Sequence, residues 1–329
     1  MSRPHRVLAI HDVERELEDG RVLRWAYATR THCLQKYAPA DIDVRRASHA
    51  SVTGEMLRWA DLVFLLDYAL VSSYRNRLRQ LDNRPVFVVS FNKDHRSRHS
   101  EWEWCLDCAD WVVVNNRSRW VADGVRERTC CIANGLDLEQ WRSIRPIKER
   151  SHKVLWTGGT GPAKRKGYQD LIHPLIPELQ RMGFEWDFRP VTDIEPGQVM
   201  TADQMVEWYN SGSYVVCASA TEGTPGYLLE GMACGCCAVT TDVGNVPELP
   251  SSTAVIVQRG IHSILNGLEL ARSVRTTLSE VTAQSMRSWG YGPPGRRADY
   301  FYQLFRRLIE DGPRDVRPFN YQEVGPGDI

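Results

Sequence analysis

The sequence predicts an α/β protein of two domains, each built on a parallel sheet with helices on both faces. Three observations carry that expectation. Short apolar runs alternate with helix-like stretches along most of the chain, which is the pattern of successive β-α-β units. A length of 329 residues accommodates two domains of roughly 100–200 residues each. An apolar content of 42% with 25% charged residues is that of an ordinary globular chain.

The elements follow in order. Apolar runs at 6–10, 62–66, 86–90, 111–114 and 130–133 read as the strands of a first sheet. Those at 153–157, 185–190, 214–218, 238–241 and 254–257 read as the strands of a second. Helical periodicity lies between them at 21–37, 51–60, 118–125, 168–182 and 202–210. The stretch 142–152, with Pro146 and five basic or histidine residues, reads as an interdomain linker. After Pro293-Pro294, residues 297–310 place apolar side chains at helical spacing, and the Pro-, Gly- and charge-rich tail 312–329 reads as loosely ordered.

The richest segment is 214–249. An apolar strand ends near Ala218, and a loop follows with Glu222, Gly223, Thr224, Pro225 and Gly226. A helix from Tyr227 then carries Glu230 and stops at Cys234-Gly235. Two carboxylates and several backbone N–H groups thus surround one end of a β-loop-α unit. Such a place suits a ligand that is both polyhydroxylated and phosphorylated. Alone, two glutamates eight apart are more often a helix cap and a surface charge.

The pattern S-x-x-E-G-x-P-x-x-x-L-E-x-M-A-C-G, an E-x7-E motif, resembles the retaining glycosyltransferases of the large family 4, or group 1, type. Three further segments are similar to family motifs in the family's order. They are Asn134-Gly135-Leu136-Asp137, Gly158-Gly159 with Lys166-Gly167, and Thr241-Asp242-Val243-Gly244-Asn245 through Glu248. The resemblance is strong over about 105–250 and thin over 1–100. It implies the GT-B fold, two Rossmann-like domains whose parallel sheets face an interdomain cleft. Residues 1–146 would form the acceptor domain and 147–295 the nucleotide-sugar donor domain, with helix 296–311 returning to the first.

The resemblance also implies roles. Lys166 would meet the diphosphate, with Gly158 and Gly159 forming the phosphate loop. The arginine that relatives carry soon after the first glycine is missing, leaving Lys164 or Arg165 as substitutes. Glu222 would lie near the transferred sugar, with Gly223, Thr224, Pro225, Gly226 and Tyr227 around the donor and the N–H groups of Gly223, Thr224 and Gly226 open to it. Glu230 would accept hydrogen bonds from the ribose hydroxyls. On the acceptor or sugar side the signals are weak: Gly20 where relatives have a G-G turn, Asn92 at the nearest alignment to a family histidine, and His95 beyond it. Asp12 also follows the first strand. Trp102 and Trp104 fit core packing better than a stacking platform.

The implied activity is transfer of a hexose from a nucleoside diphosphate sugar, UDP-glucose or GDP-mannose, to an acceptor hydroxyl with retained configuration and no metal. The acceptor would be a glycan or lipid-linked glycan, reached through peripheral membrane contact. Three alternatives stay open: transfer to hydroxylated bases in DNA, a UDP-sugar 2-epimerase, and a nucleotide-sugar binder without turnover.

Charge and cysteine bound these readings. Net charge is zero, yet residues 1–148 carry 24 Lys and Arg against 20 Asp and Glu. The excess gathers at Arg75, Arg77, Arg79, Arg84, Lys93, Arg96 and Arg98, which would attract a nucleic acid or anionic lipid surface or simply decorate the solvated side of a helix. Nine cysteines show no disulfide framework, and neither Cys105-x-x-Cys108 nor the Cys234, Cys236, Cys237 group completes a zinc set. With no apolar run of membrane-spanning length and no signal peptide, a cytoplasmic location is expected.

Overall fold

The computed structural model describes residues 3–12, 14–16, 22–24, 26–92, 99–117, 127–159, 165–191, 200–325 and 329. Gly20, His95, Lys164 and the helix expected at 118–125 lie outside them. The chain separates into two compact units. One comprises the described residues of Met1–Arg15, Arg24–Gly135 and Tyr291–Ile329, the other those of Glu16–Leu23 and Leu136–Gly290.

The first unit is built on β1 (His5–His11), which is apolar and almost wholly buried from Val7 onward. Residues Glu14–Glu16 (β2) and Val22–Arg24 (β3) pair as a small ribbon, so the helix expected from residue 21 begins later, as α1 (Ala26–Lys36). Then come β4 (Ile42–Ser48), α2 (Gly54–Trp59), β5 (Leu62–Leu65), α3 (Val71–Leu78) and β6 (Val86–Phe91). Helix α4 (His99–Cys108), β7 (Trp111–Val114) and β8 (Thr129–Cys131) complete this part. The six long strands form one parallel sheet in the order β4-β1-β5-β6-β7-β8. The connection from β4 to β5 passes over β1, which places a topological switch beside β1, where ligands of open α/β sheets bind.

The second unit repeats the plan. Its elements are β9 (Lys153–Gly159), α5 (Ile176–Arg181), β10 (Glu185–Val191), α6 (Ala202–Ser211) and β11 (Tyr214–Cys217). After them come α7 (Gly226–Ala233), β12 (Cys237–Thr241), β13 (Ala254–Val257), α8 (Ile261–Ser273) and α9 (Arg275–Met286). Five parallel strands run β10-β9-β11-β12-β13, so this sheet switches beside β9. The helix expected at 168–182 is broken into a wide turn at Tyr168–Ile172, a tight one at His173–Leu175, and α5. Pro174 and Pro177 cause the break, since neither can donate to the preceding turn. Val154, Trp156, Val216, Val239, Ile264 and Leu268 are core residues of this unit.

The last helix, α10 (Arg297–Glu310), belongs to the first unit. Its buried side chains Ala298, Phe301, Tyr302, Phe305 and Leu308 keep helical spacing. Phe301 and Phe305 lie against Phe64 of β5, ring centres 5.8 and 5.4 Å away. The tail beyond it, expected to be loosely ordered, packs in part. Phe319 and Tyr321 are buried, and the backbone around Asn320 bridges to Cys131 at the edge of the sheet.

The stretch expected as an interdomain linker lies inside the second unit, and Arg150 is the reason. Its guanidinium is buried and donates to the carbonyls of Arg145 and Cys234, to Ser143 Oγ and to Asn210 Oδ1. No carboxylate is among these acceptors, so burial draws the guanidinium below its ordinary pKa range. Arg150→Met is expected to destabilise the protein by about 3–5 kcal/mol, as loss of a buried charge's partners does, read by urea unfolding. Arg150→Lys would recover little, because one ammonium cannot span four acceptors.

The basic residues of 72–98 are partly committed to structure. Arg77 donates to the Val52 carbonyl, Arg84 pairs with Asp110, and Arg75 reaches Cys108. Trp102 is core while Trp104 is exposed. All nine cysteines are buried and free. Among the described residues no helix is long and apolar enough to cross a membrane, and no group of His, Cys, Asp and Glu is placed to hold a metal.

Candidate functional site

The motif residues converge at the carboxyl ends of β9 and β11, on either side of the switch in the second sheet. Gly158 is the penultimate residue of β9, and a Cβ there would stand 3.1 Å from the Trp156 ring. The chain returns at Arg165 and Lys166, where the Arg165 carbonyl accepts the Ala220 N–H at 2.7 Å. Gly167 follows with φ +75°, and a Cβ would lie 2.9 Å from the Ala218 carbonyl. That left-handed, close-packed position requires glycine. It seats the Lys166 backbone against the end of β11.

Glu222 is the centre of the arrangement. It is only 5% exposed and forms an ion pair with Lys166. Ser219 Oγ donates to the same carboxylate oxygen at 2.8 Å, and Arg165, half exposed, stands 3.9 Å from the other. Lys166 also lies over the Tyr227 ring, 5.5 Å from its centre. The Tyr227 hydroxyl is bonded to the Val216 carbonyl at 3.3 Å. Tyr227 therefore serves as a floor beneath Lys166, its polar end already satisfied.

The loop into α7 is shaped from below. Pro225, with φ −75° and ψ 75°, is the middle of a three-residue turn closed by Gly226 N–H to the Thr224 carbonyl at 2.9 Å. The expectation that the Gly226 N–H is open to ligand is therefore corrected: the proline's fixed φ favours the turn that consumes it. Thr224 Oγ1 donates to Asn245 Oδ1 at 2.5 Å. Beside Asn245, Gly244 has φ +55°, and a Cβ there would stand 2.6 Å from the Gly223 carbonyl. Gly244→Ala is expected to cost about 1–3 kcal/mol and to displace the Glu222-Gly223 loop. Thermal unfolding would register it.

Glu230 sits one turn into α7. Its Oε1 is 4.0 Å from where a Gly226 Cβ would project, so the carboxylate faces the helix's first turn. Tyr209 donates to Oε2 at 3.2 Å. Burial pushes the Glu230 carboxyl up to about 7, against the opposing pull of the Tyr209 hydroxyl. Sequence reasoning missed Tyr209, which no motif flags and only the packing of α6 against α7 reveals. It also gave no role to Asn245 or Gly244, although both stand in a recognised motif.

A recess of about 400 Å³ adjoins the loop, lined by Ser219, Thr241, Asp242, Val257 and Arg259 among others. A larger cavity of about 780 Å³ is lined by Lys153, Asp187, Arg189 and Trp208 among others, and none of its lining residues is a candidate site residue. Asn92 is placed in the first unit, buried at the end of β6.

Residues 141–278 match the family described as glycosyl transferases group 1. No curated protein matches the chain. Among solved structures the chain is similar to sucrose-phosphate synthase of Thermosynechococcus elongatus, at 12% identity and a TM-score of 0.66, over 94% of this chain and 100% of that one. It is also similar to HepE of Anabaena in complex with UDP, at 14% identity and TM-score 0.62, over 92% and 100%. A third is the E. coli trehalose-6-phosphate structure bound with UDP-2-fluoro glucose, at 10% and 0.66, over 95% and 100%. These likenesses give the fold, which is GT-B.

Proposed function

We propose that the protein is a retaining, metal-independent hexosyltransferase using UDP-glucose, a reading supported by the match of residues 141–278 to the family described as glycosyl transferases group 1. The carrying observation is the Lys166–Glu222 pair at the mouth of α7, with Glu230 one turn along the same helix. This set offers a cation for a diphosphate and carboxylates for hydroxyls. UDP is favoured over GDP because the HepE structures hold UDP, UDP with glucose, or UDP-glucose.

In the reaction the bond from the sugar's anomeric carbon to the diphosphate oxygen breaks. The acceptor oxygen bonds to the same face of that carbon, and its proton passes to the departing phosphate. Lys166, with Arg165 alongside, neutralises the leaving diphosphate, and the N-terminus of α7 adds a favourable dipole. Glu230 accepts from the ribose hydroxyls. Glu222, held by Lys166 and Ser219, faces sugar hydroxyls and needs no covalent role. The acceptor is a glycan or lipid-linked glycan. Arg75, Arg77 and Arg84, already bonded within their unit, favour this over DNA. Nine buried, unbridged thiols support a reducing, cytoplasmic setting.

The test is incubation with UDP-glucose and a panel of glycan acceptors in the presence of EDTA, followed by NMR of the product. An α-linked product supports the reading. Inverted product, or turnover that EDTA abolishes, contradicts it. Epimer formed from the donor alone would indicate an epimerase instead.

A further inference from the structure

We infer that Tyr209 is a positioning residue for Glu230: from helix α6 it holds one oxygen of the carboxylate and leaves the other to the ligand. The inference takes its ligand, the ribose of a nucleotide, from the transferase reading.

Helix α6 starts at a reciprocal cap between Thr201 and Gln204, and its buried side chains include Trp208, Tyr209 and Asn210. The Tyr209 ring is wholly buried. Trp208 stands 5.0 Å from it, and Trp141 meets it edge-on at 6.1 Å. Against α7 the fit is close because residue 231 is glycine. A Cβ there would lie 3.2 Å from the Tyr209 ring and 3.1 Å from Val215 Cγ1. The Tyr209 carbonyl accepts from Cys236 Sγ at 3.2 Å and from Arg150 Nη1 at 3.5 Å. Arg150 also reaches Asn210 Oδ1 and the Cys234 carbonyl, which ties the end of α6 to the end of α7.

A phenol so enclosed has little freedom, and its hydroxyl meets Glu230 Oε2. Oε1 faces the first turn of α7 and has no donor among the described residues. Glu230 itself is half-buried, so hydroxyls of a ligand can reach that second oxygen.

The same bond acts on charge. Burial disfavours the ionised carboxylate, and the Tyr209 hydroxyl opposes it. The phenol is dependable as a donor, because burial and then the Glu230 charge hold it well above its ordinary range. Cys234 and Cys236 are the other titratable groups beside the pair. Burial raises both thiols, Cys236 to about 12, so they stay neutral. At the mouth of α7, Lys166 and Glu222 pair with each other. Helix α7 also packs against α9, whose Ser279 donates to the Gly235 carbonyl. Loss of the Tyr209 hydroxyl should therefore leave Glu230 protonated at neutral pH.

Tyr209→Phe, which deletes the hydroxyl and keeps the ring, tests this in the full chain. Carboxyl NMR of glutamate-labelled protein should show Glu230 titrating about one pH unit higher than in wild type, with Glu230→Gln assigning the signal. UDP calorimetry should show affinity lowered about tenfold near ~pH 7 and nearly restored near ~pH 9, where Glu230 is ionised in both proteins. Packing alone would weaken binding equally at the two pH values. That result, or an unmoved Glu230 titration, overturns the inference. Wild-type protein that fails to bind UDP sinks the transferase reading, while a raised titration in Tyr209→Phe still supports the pairing. UDP binding in wild type with an unmoved titration does the reverse.

Discussion

Lys166→Met should lower turnover by about 10²–10³-fold, the scale seen when one group stabilising developing negative charge is removed. It should also destabilise the fold, by about 3–5 kcal/mol, because Glu222 then stays buried with Ser219, among the described residues, as its close donor. The two effects part in the double variant. Lys166→Met with Glu222→Gln removes the stranded charge, so urea unfolding should return towards wild type while turnover stays low. The coupling comes from a double-mutant cycle. A double variant as unstable as the sum of its parts would mean that Lys166 and Glu222 stabilise the fold independently.

Glu230 carries the second large effect, with opposite signs for stability and for function. In the unfolded chain a glutamate titrates near ~4.3, and in the fold burial raises it to about 7. The native state thus holds a proton that the unfolded state has lost. Its contribution to stability is full below about 4.3 and is lost as the pH rises through about 7. At about pH 8 the ionised carboxylate is therefore a cost. Glu230→Gln should be more stable there, on the order of 1 kcal/mol after allowing for a half-buried site, and unchanged near ~pH 4. Function runs the other way. Ribose hydroxyls donating to the carboxylate favour its charged form, so nucleotide binding near neutral pH should expel a proton and tighten as the pH rises. Calorimetry in buffers of different ionisation enthalpy reads that proton. Glu230→Gln should lose both the proton and most of the affinity; equal release in the variant would assign the proton elsewhere.

Much of this site was legible because its loops are built from residues with narrow backbone requirements. Gly167 and Gly244 adopt positive φ against carbonyl oxygens, Pro225 centres a three-residue turn, and such positions leave short motifs. What was hidden depends on tertiary partners. Strand β4 reads IDVRRAS, and its two arginines mask the pattern of a strand with one free edge. Helices α8 and α9 fell where no element was assigned. Arg150 looked like one charge in a basic linker, yet its acceptors come from distant turns. The Gly226 N–H was expected to be open, and only the turn geometry shows where it goes.

The most direct measurement is titration calorimetry of the purified protein with UDP in metal-free buffer, beside a thermal-shift series. At about 100 times its dissociation constant, UDP should stabilise the fold by about 2.7 kcal/mol. The account predicts one UDP per chain, with binding weakened strongly in Lys166→Met and Glu230→Gln. UDP binding untouched by either substitution would contradict it, placing the nucleotide away from α7.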